Sequence, residues 1–181
     1  QKFSGNFRVG GHSKGGNLAV YAAFNCSDEL QDRLLEVFNN DGPGFRESLR
    51  NVPKYQRIQP RIRTIVPQYS FFGRLLAQDD DFEIVTSSVK GAVAHDGMTW
   101  EVLGNKFIRS EDFALRSQVI TKTFETIGSQ MTLEERQKFT DVFFDAITSS
   151  GATTLTDLTD NGLTQAFRKT ARGLLCEKSE I

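Results

Sequence analysis

The sequence predicts an α/β protein, a parallel sheet with crossover helices followed by a helical C-terminal part. Three observations predict it. Apolar runs of strand length recur at residues 7–9, 34–39, 62–66 and 82–87, separated by helical or loop stretches. A small-residue turn, Gly11-His12-Ser13-Lys14-Gly15-Gly16, joins the first run to an Ala-rich stretch of helical composition. Beyond residue 110 the apolar spacing reads as helix alone.

The elements follow in order. Phe7-Arg8-Val9 is the first strand, and residues 14–24 are the first helix. Residues 34–39 run as the second strand into the turn Asp41-Gly42-Pro43-Gly44. Residues 44–56 form a crossover, with Pro53 and Pro60 breaking any long helix. Residues 62–66 are the third strand, 70–77 a crossover around Phe71, Phe72, Leu75 and Leu76, and 82–87 the fourth strand. Strands alternating with helices imply parallel pairing through right-handed crossovers. Residues 101–108 read as one more extended segment.

Ser110 is placed to cap a helix reaching about residue 127, before Gly128. Thr132-Leu133-Glu134-Glu135 is a capping box that opens the next helix. Phe139, Val142, Phe143, Ala146 and Ile147 fall on one face of it as a core stripe, and Gly151 ends it. A last helix spans residues 162–175. No linker interrupts the chain, so residues 1–181 read as one domain, with 110–181 its helical portion.

Composition excludes several function classes. A chain of 181 residues with 38% hydrophobic content can bury a sizeable core. Its net charge of −1 supplies no field for a nucleic-acid partner. Cys26 and Cys176 lack metal or redox spacing and read as free thiols in a reducing, cytoplasmic setting. No apolar run is long enough for a transmembrane segment. Asp79-Asp80-Asp81 lacks the spacing and glycine of a calcium loop, so neither a metal nor another cofactor is expected. Arg46, Arg50, Lys54, Arg57, Arg61 and Arg63 read either as an exposed crossover face or as a patch for an anionic substrate.

The turn around Ser13 carries the chemistry. A strand, a G-x-S-x-G sequence and a helix in succession read as a nucleophile elbow, which presents a serine on a sharp, strained turn. Gly11 and Gly15 flank Ser13 at two positions either side, where small residues let strand and helix approach. Gly16 keeps the helix start thin. The unpaired N–H groups opening the helix, that of Lys14 first, face the serine oxygen and can hold an oxyanion. A nucleotide-binding reading of the same glycines fails, because no acidic residue ends a second strand at the required distance.

The run Gly11-His12-Ser13-Lys14-Gly15-Gly16-Asn17-Leu18-Ala19, then Asp41-Gly42-Pro43-Gly44-Phe45, Val66-Pro67-Gln68, Ser70 and Leu75-Leu76, resembles a family of uncharacterised bacterial lipase-like proteins. That family is similar to the class 3 (fungal-type) lipases of the α/β-hydrolase superfamily. The resemblance covers most of the chain up to Trp100, and the helical tail more loosely. It implies a serine hydrolase on an α/β-hydrolase-like sheet. It also implies strands and helices ahead of the elbow, one loop of which gives the second oxyanion N–H. The elbow here follows only six residues and the first is Gln1, so the chain is expected to be an N-terminal truncation lacking that half-sheet. The strand bearing Ser13 then has a bare edge, a surface on which a homodimer could form.

A serine nucleophile needs a base and an acid to orient the base. His12 adjoins the nucleophile and cannot readily fold back onto it, so it reads as a packed or hydrogen-bonded neighbour. His95, after the last clear strand, is the candidate base. Asp41, at the end of the second strand, gives the order Ser…Asp…His expected of α/β-hydrolases. Asp41 reads equally as an aspartate opening a Pro-Gly turn. Class 3 lipases place the acid after the following strand, where this chain has Pro67-Gln68-Tyr69 and no carboxylate. Either Asp41 serves from the earlier loop, or Gln68 or Tyr69 orients the histidine as a neutral partner. Asp96 adjoins His95 and is badly placed for its ring. The Lys14 side chain reads as solvated or as a contact for an anionic head group. The function expected is hydrolysis of a small-molecule or lipid ester. The alternative is a non-catalytic binding or scaffold protein on a degenerate α/β-hydrolase fold.

Overall fold

A computed structural model of the chain describes residues 4–76, 79 and 81–115, and beyond them residues 118, 119, 122, 132, 134, 135, 137, 138 and 141. The chain divides into two units, Gln1–Lys122 and Thr123–Ile181.

In the first unit the four apolar runs become β1 (Phe7–His12), β2 (Leu34–Asn40), β3 (Ile62–Pro67) and β4 (Phe82–Val85). They form one sheet in the order β1-β2-β3-β4, and every neighbouring pair is parallel. The α/β reading holds at this level. Among the described residues β1 pairs with β2 alone, so it is an edge strand.

Strand alternation sorts the side chains onto two faces. Phe7, Val9 and Val37 point to one face, where they pack with Val20, Ala23 and Phe24 of α1 (Lys14–Asn25). Tyr55 and Ile58 of α3 (Pro53–Ile58) complete that core. The fully buried Val20, Val37 and Ile58 each stabilise the fold by about 1.5–3 kcal/mol. Phe38 and Ile65, of opposite parity, meet Val85 and Trp100. The Trp100 indole is buried and donates to the Ala94 carbonyl at 2.9 Å, which fixes the segment after β4 against this second face.

Several elements differ from expectation. A helix α2 (Asp28–Arg33) precedes β2 although its sequence has no apolar stripe. It forms because the Ser27 hydroxyl accepts from the Leu30 N–H, and because Gln31, fully buried, donates to the Ala23 and Phe24 carbonyls. The 44–56 crossover is helical only from Pro53, which occupies the first helical turn. The 70–77 crossover contributes a short 3-10 turn, Phe72–Arg74. The extended segment 101–108 is a hairpin of β5 (Val102–Leu103) and β6 (Lys106–Phe107), turning at Gly104 with φ of 66°.

Ser110 does not cap a helix. Its N–H donates to the Ile84 carbonyl at 2.9 Å and its hydroxyl to the Asp112 carbonyl, so it extends the sheet edge, and helical residues start at Leu115. In the second unit Thr132 and Glu135 form the expected capping box. The Thr132 N–H donates to Glu135 Oε2 at 2.7 Å, and the Glu135 N–H to Thr132 Oγ1 at 3.2 Å. Phe139, Val142, Phe143, Ala146, Ile147, Gly151, Cys176 and the 162–175 helix lie outside the described residues. Among the described residues no helix is long and apolar enough to cross a membrane.

Candidate active site

The ends of β1 and β2 hold the site. His12 and Asn40 are register partners, so Ser13 and Asp41 are the next residues on adjacent parallel strands. The ladder continues through both. The Ser13 N–H donates to the Asn40 carbonyl and the Asp41 N–H to the Ile65 carbonyl, each at 2.8 Å. Both residues then leave the sheet with left-handed φ, 57° at Ser13 and 50° at Asp41. Such a conformation costs a non-glycine residue about 1–3 kcal/mol and is retained where the surroundings over-determine it.

Tight packing supplies that constraint. A Cβ on Gly11 would lie 2.3 Å from the Gly15 backbone, and one on Gly16 2.2 Å from Asn39 Oδ1. A Cβ on Gly42 would lie 2.4 Å from the Ser13 carbonyl oxygen. Gly15 differs from expectation, since a Cβ there meets nothing within 4 Å. The need for a small residue therefore falls on Gly11, Gly16 and Gly42. Asn17 bolts the two loops together, its amide donating to the Pro43 and Gly44 carbonyls at 3.1 and 3.0 Å. Lys14 Nζ donates to Asn17 Oδ1 at 2.8 Å, so this side chain braces the same loops.

At the opening of α1, Gly16 and Asn17 donate their N–H groups to the Ser13 carbonyl. The Lys14 and Gly15 N–H groups take no hydrogen bond among the described residues. Ser13 itself is half-buried.

Asp41 and His95 come together. His95 Nδ1 lies 2.7 Å from Asp41 Oδ2, with Asp41 fully buried and His95 7% exposed. A carboxylate only accepts, so Nδ1 carries the hydrogen and Nε2 of the neutral ring is left as acceptor. Asp41 Oδ1 accepts from the Ser70 hydroxyl and, at 3.1 Å, from the Gly73 N–H. Three donors thus compensate one buried carboxylate, as its desolvation demands. No hydrogen bond joins His95 to Gln68 or Tyr69 among the described residues. The Gln68 main chain is occupied by Val85 and Ala114. Asp96 caps a turn, accepting from the Met98 N–H at 2.9 Å.

Ser70, Gly73 and Phe72 were not foreseen as site residues. The Phe72 and His95 ring centroids are 4.4 Å apart. Ser70 belongs to the recognisable sequence pattern, but nothing in a lone serine assigns it to a buried acid. His12 proves to be the hydrogen-bonded neighbour expected, its Nε2 2.6 Å from the His95 carbonyl oxygen. Beside it opens a cleft of about 320 Å³, lined by His12, Asn40, Asp96, Met98, Trp100 and Phe107 but not by Ser13 or His95.

Five of the six basic residues of the crossover, all but Arg46, are engaged elsewhere. Arg50 pairs with Asp79 at 3.2 Å, and Arg57 with Asp28 and Asp32 at 3.2 and 2.6 Å. Arg61 donates to the Gln31 and Leu34 carbonyls, and Lys54 to that of Cys26. Arg63 pairs with Glu83 at 2.6 Å, and this bond raises its pKa. Burial pushes the Glu83 carboxyl up, but the hydrogen bond and charge of Arg63, joined by Arg109, outweigh it and hold the group below its ordinary value. These pairings support the exposed-face reading over an anion-binding patch. Among the described residues no group of three or more His, Cys, Asp or Glu side chains could hold a metal ion.

A family profile described as Mbeg1-like matches residues 1–145. Neither a curated protein nor a solved structure matches the chain.

Proposed function

This chain belongs to the Mbeg1-like family, and we propose that it is a serine hydrolase, esterase- or lipase-like, on an α/β-hydrolase-like sheet similar to that of the class 3 lipases. The observation that carries this reading is the buried Asp41–His95 hydrogen bond, with Asp41 at the strand end next to that of Ser13, a serine held at left-handed φ at a strand-to-helix turn. No hydrogen bond joins the Ser13 side chain to His95 among the described residues.

Each residue has a role. Asp41 fixes the His95 tautomer and stabilises the imidazolium that forms during reaction. His95 Nε2 takes the Ser13 proton as Ser13 Oγ attacks the acyl carbonyl carbon. The carbonyl oxygen becomes an oxyanion, and the N–H of Lys14 at the start of α1 donates to it. His95 then returns the proton to the leaving alcohol, and the acyl group stays on Ser13. Water, deprotonated by His95, attacks the acyl carbon. His95 then returns that proton to Ser13 Oγ as the acyl–oxygen bond breaks, releasing the acid and restoring the free serine. Met98, Trp100 and Phe107, in the cleft beside His12, are the apolar side chains assigned to the acyl portion of a small-molecule or lipid ester. A cytoplasmic setting and a homodimer through the edge of β1 belong to the same proposal.

Turnover of a series of p-nitrophenyl esters tests it. Hydrolysis by the wild type should fall at least about 1000-fold in both Ser13→Ala and His95→Ala. Folded protein that turns over no ester in the series, or equal turnover in Ser13→Ala, would instead favour a binding protein on a degenerate fold.

A further inference from the structure

We propose that His12, the residue preceding Ser13, is a positioning residue that sets the orientation of the His95 ring; its effect on catalysis rests on the hydrolase reading above. One hydrogen bond at Nδ1 fixes an atom of an imidazole but leaves the ring free to swing about that contact. Two aromatic neighbours restrict the swing. Phe72 approaches with centroids 4.4 Å apart and planes tilted by 42°, and His12 with centroids 4.4 Å apart and planes tilted by 43°.

His12 acts on the backbone as well. Its Nε2 lies 2.6 Å from the carbonyl oxygen of His95. A carbonyl only accepts, so His12 carries its hydrogen on Nε2, and that hydrogen ties His95 to the end of β1. One side chain therefore holds both the main chain and the ring of His95. Because His12 is bonded directly to Ser13, the spacing between nucleophile and base is set through a single residue. A general base must sit within about 0.5 Å of its productive position, and a misplacement of about 1 Å costs on the order of 100-fold in rate.

Substitutions of His12 in the full chain separate its contributions. His12→Phe keeps the ring contact and loses the donor, His12→Gln keeps a donor and loses the ring, and His12→Ala loses both. Two readouts are taken, the rate of Ser13 labelling by a fluorophosphonate and the imidazole ¹H–¹⁵N spectrum of His95. Labelling of His12→Ala should be about 10- to 100-fold slower than wild type, with His12→Phe and His12→Gln each between the two. The wild-type His95 Nδ1–H should give a slowly exchanging signal that broadens in His12→Ala. Wild-type labelling in a folded His12→Ala with an unchanged His95 signal overturns the proposal. Should His12→Ala fail to fold, wild-type behaviour of both His12→Phe and His12→Gln overturns it equally. If wild-type Ser13 takes no label, the hydrolase reading fails, and the His95 signal alone decides the positioning role.

Discussion

Asp41 and His95 stand 54 residues apart in the chain and 2.7 Å apart at Oδ2 and Nδ1. The bond spans the sheet, from the end of β2 to the segment that follows β4. It exists because Asp41 turns out of β2 at left-handed φ, which aims its carboxylate at the 3-10 turn after β3 rather than along its own strand. Gly42 allows that turn to sit against the Ser13 carbonyl.

Replacement of this acid is the sharpest test of its role. Asp41→Asn keeps shape and volume but offers the wrong hydrogen to Nδ1, so His95 is held in the wrong tautomer. Ester turnover should fall by about 10⁴-fold while the circular dichroism spectrum matches wild type. Asp41→Ala should in addition destabilise the fold by about 2–4 kcal/mol, since Ser70, Gly73 and His95 lose a shared acceptor. Urea unfolding reads the difference between the two variants.

Ser70 is expected to act through Asp41. Ser70→Ala removes one of three donors to a fully buried carboxylate. It should lower thermal stability by about 1–3 kcal/mol and turnover by a smaller factor than Asp41→Asn. Differential scanning calorimetry and ester kinetics on the same samples check both parts.

The glycines divide by position. Gly42→Ala puts a Cβ 2.2 Å from Asn39 Oδ1 and 2.4 Å from the Ser13 carbonyl, so it should both destabilise the fold and depress activity. Gly15→Ala meets open space within α1. It should be neutral or stabilise by up to about 1 kcal/mol through helix propensity. Melting temperatures of the two variants should move in opposite directions, or that of Gly15→Ala should stay put.

The sequence made one half of this site plain and hid the other. Four apolar runs announced the strands because their buried or half-buried positions, such as Phe7, Val9, Val37, Ile65, Val66 and Val85, carry β-branched and aromatic side chains. Ser13 was legible because its strained turn demands glycine around it, and His95 because only two histidines exist. The acid was ambiguous. Whether a carboxylate at the end of β2 turns toward the last strand depends on its φ, which residue identity leaves open for aspartate. Helix α2 is not legible in the sequence because polar contacts, the Ser27 cap and the buried amide of Gln31, hold it rather than an apolar stripe. The packing role that sequence spacing predicts for Gly15 belongs to Gly16 and Gly42, since proximity to Ser13 in sequence is not proximity of the missing Cβ.

Glu83 governs an acid limb of stability away from the site. Its folded pKa is lowered, so the stabilisation from Arg63 and Arg109 is present above the unfolded value, about 4.3, and is lost as pH falls through the folded value. The exposed arginine side chains keep the contribution to about 0.2–1 kcal/mol. The stability gap between wild type and Glu83→Gln should therefore be present at neutral pH and shrink in acid, as read by urea midpoints across a pH series.

In the proposed hydrolase, Ser13 is an activated nucleophile. Fluorophosphonate labelling read by intact mass and peptide mapping measures this directly. One adduct per folded chain is expected, on Ser13, absent from Ser13→Ala and lost or strongly slowed in His95→Ala. A folded chain that takes no adduct, or one that is labelled equally well in Ser13→Ala, would contradict it.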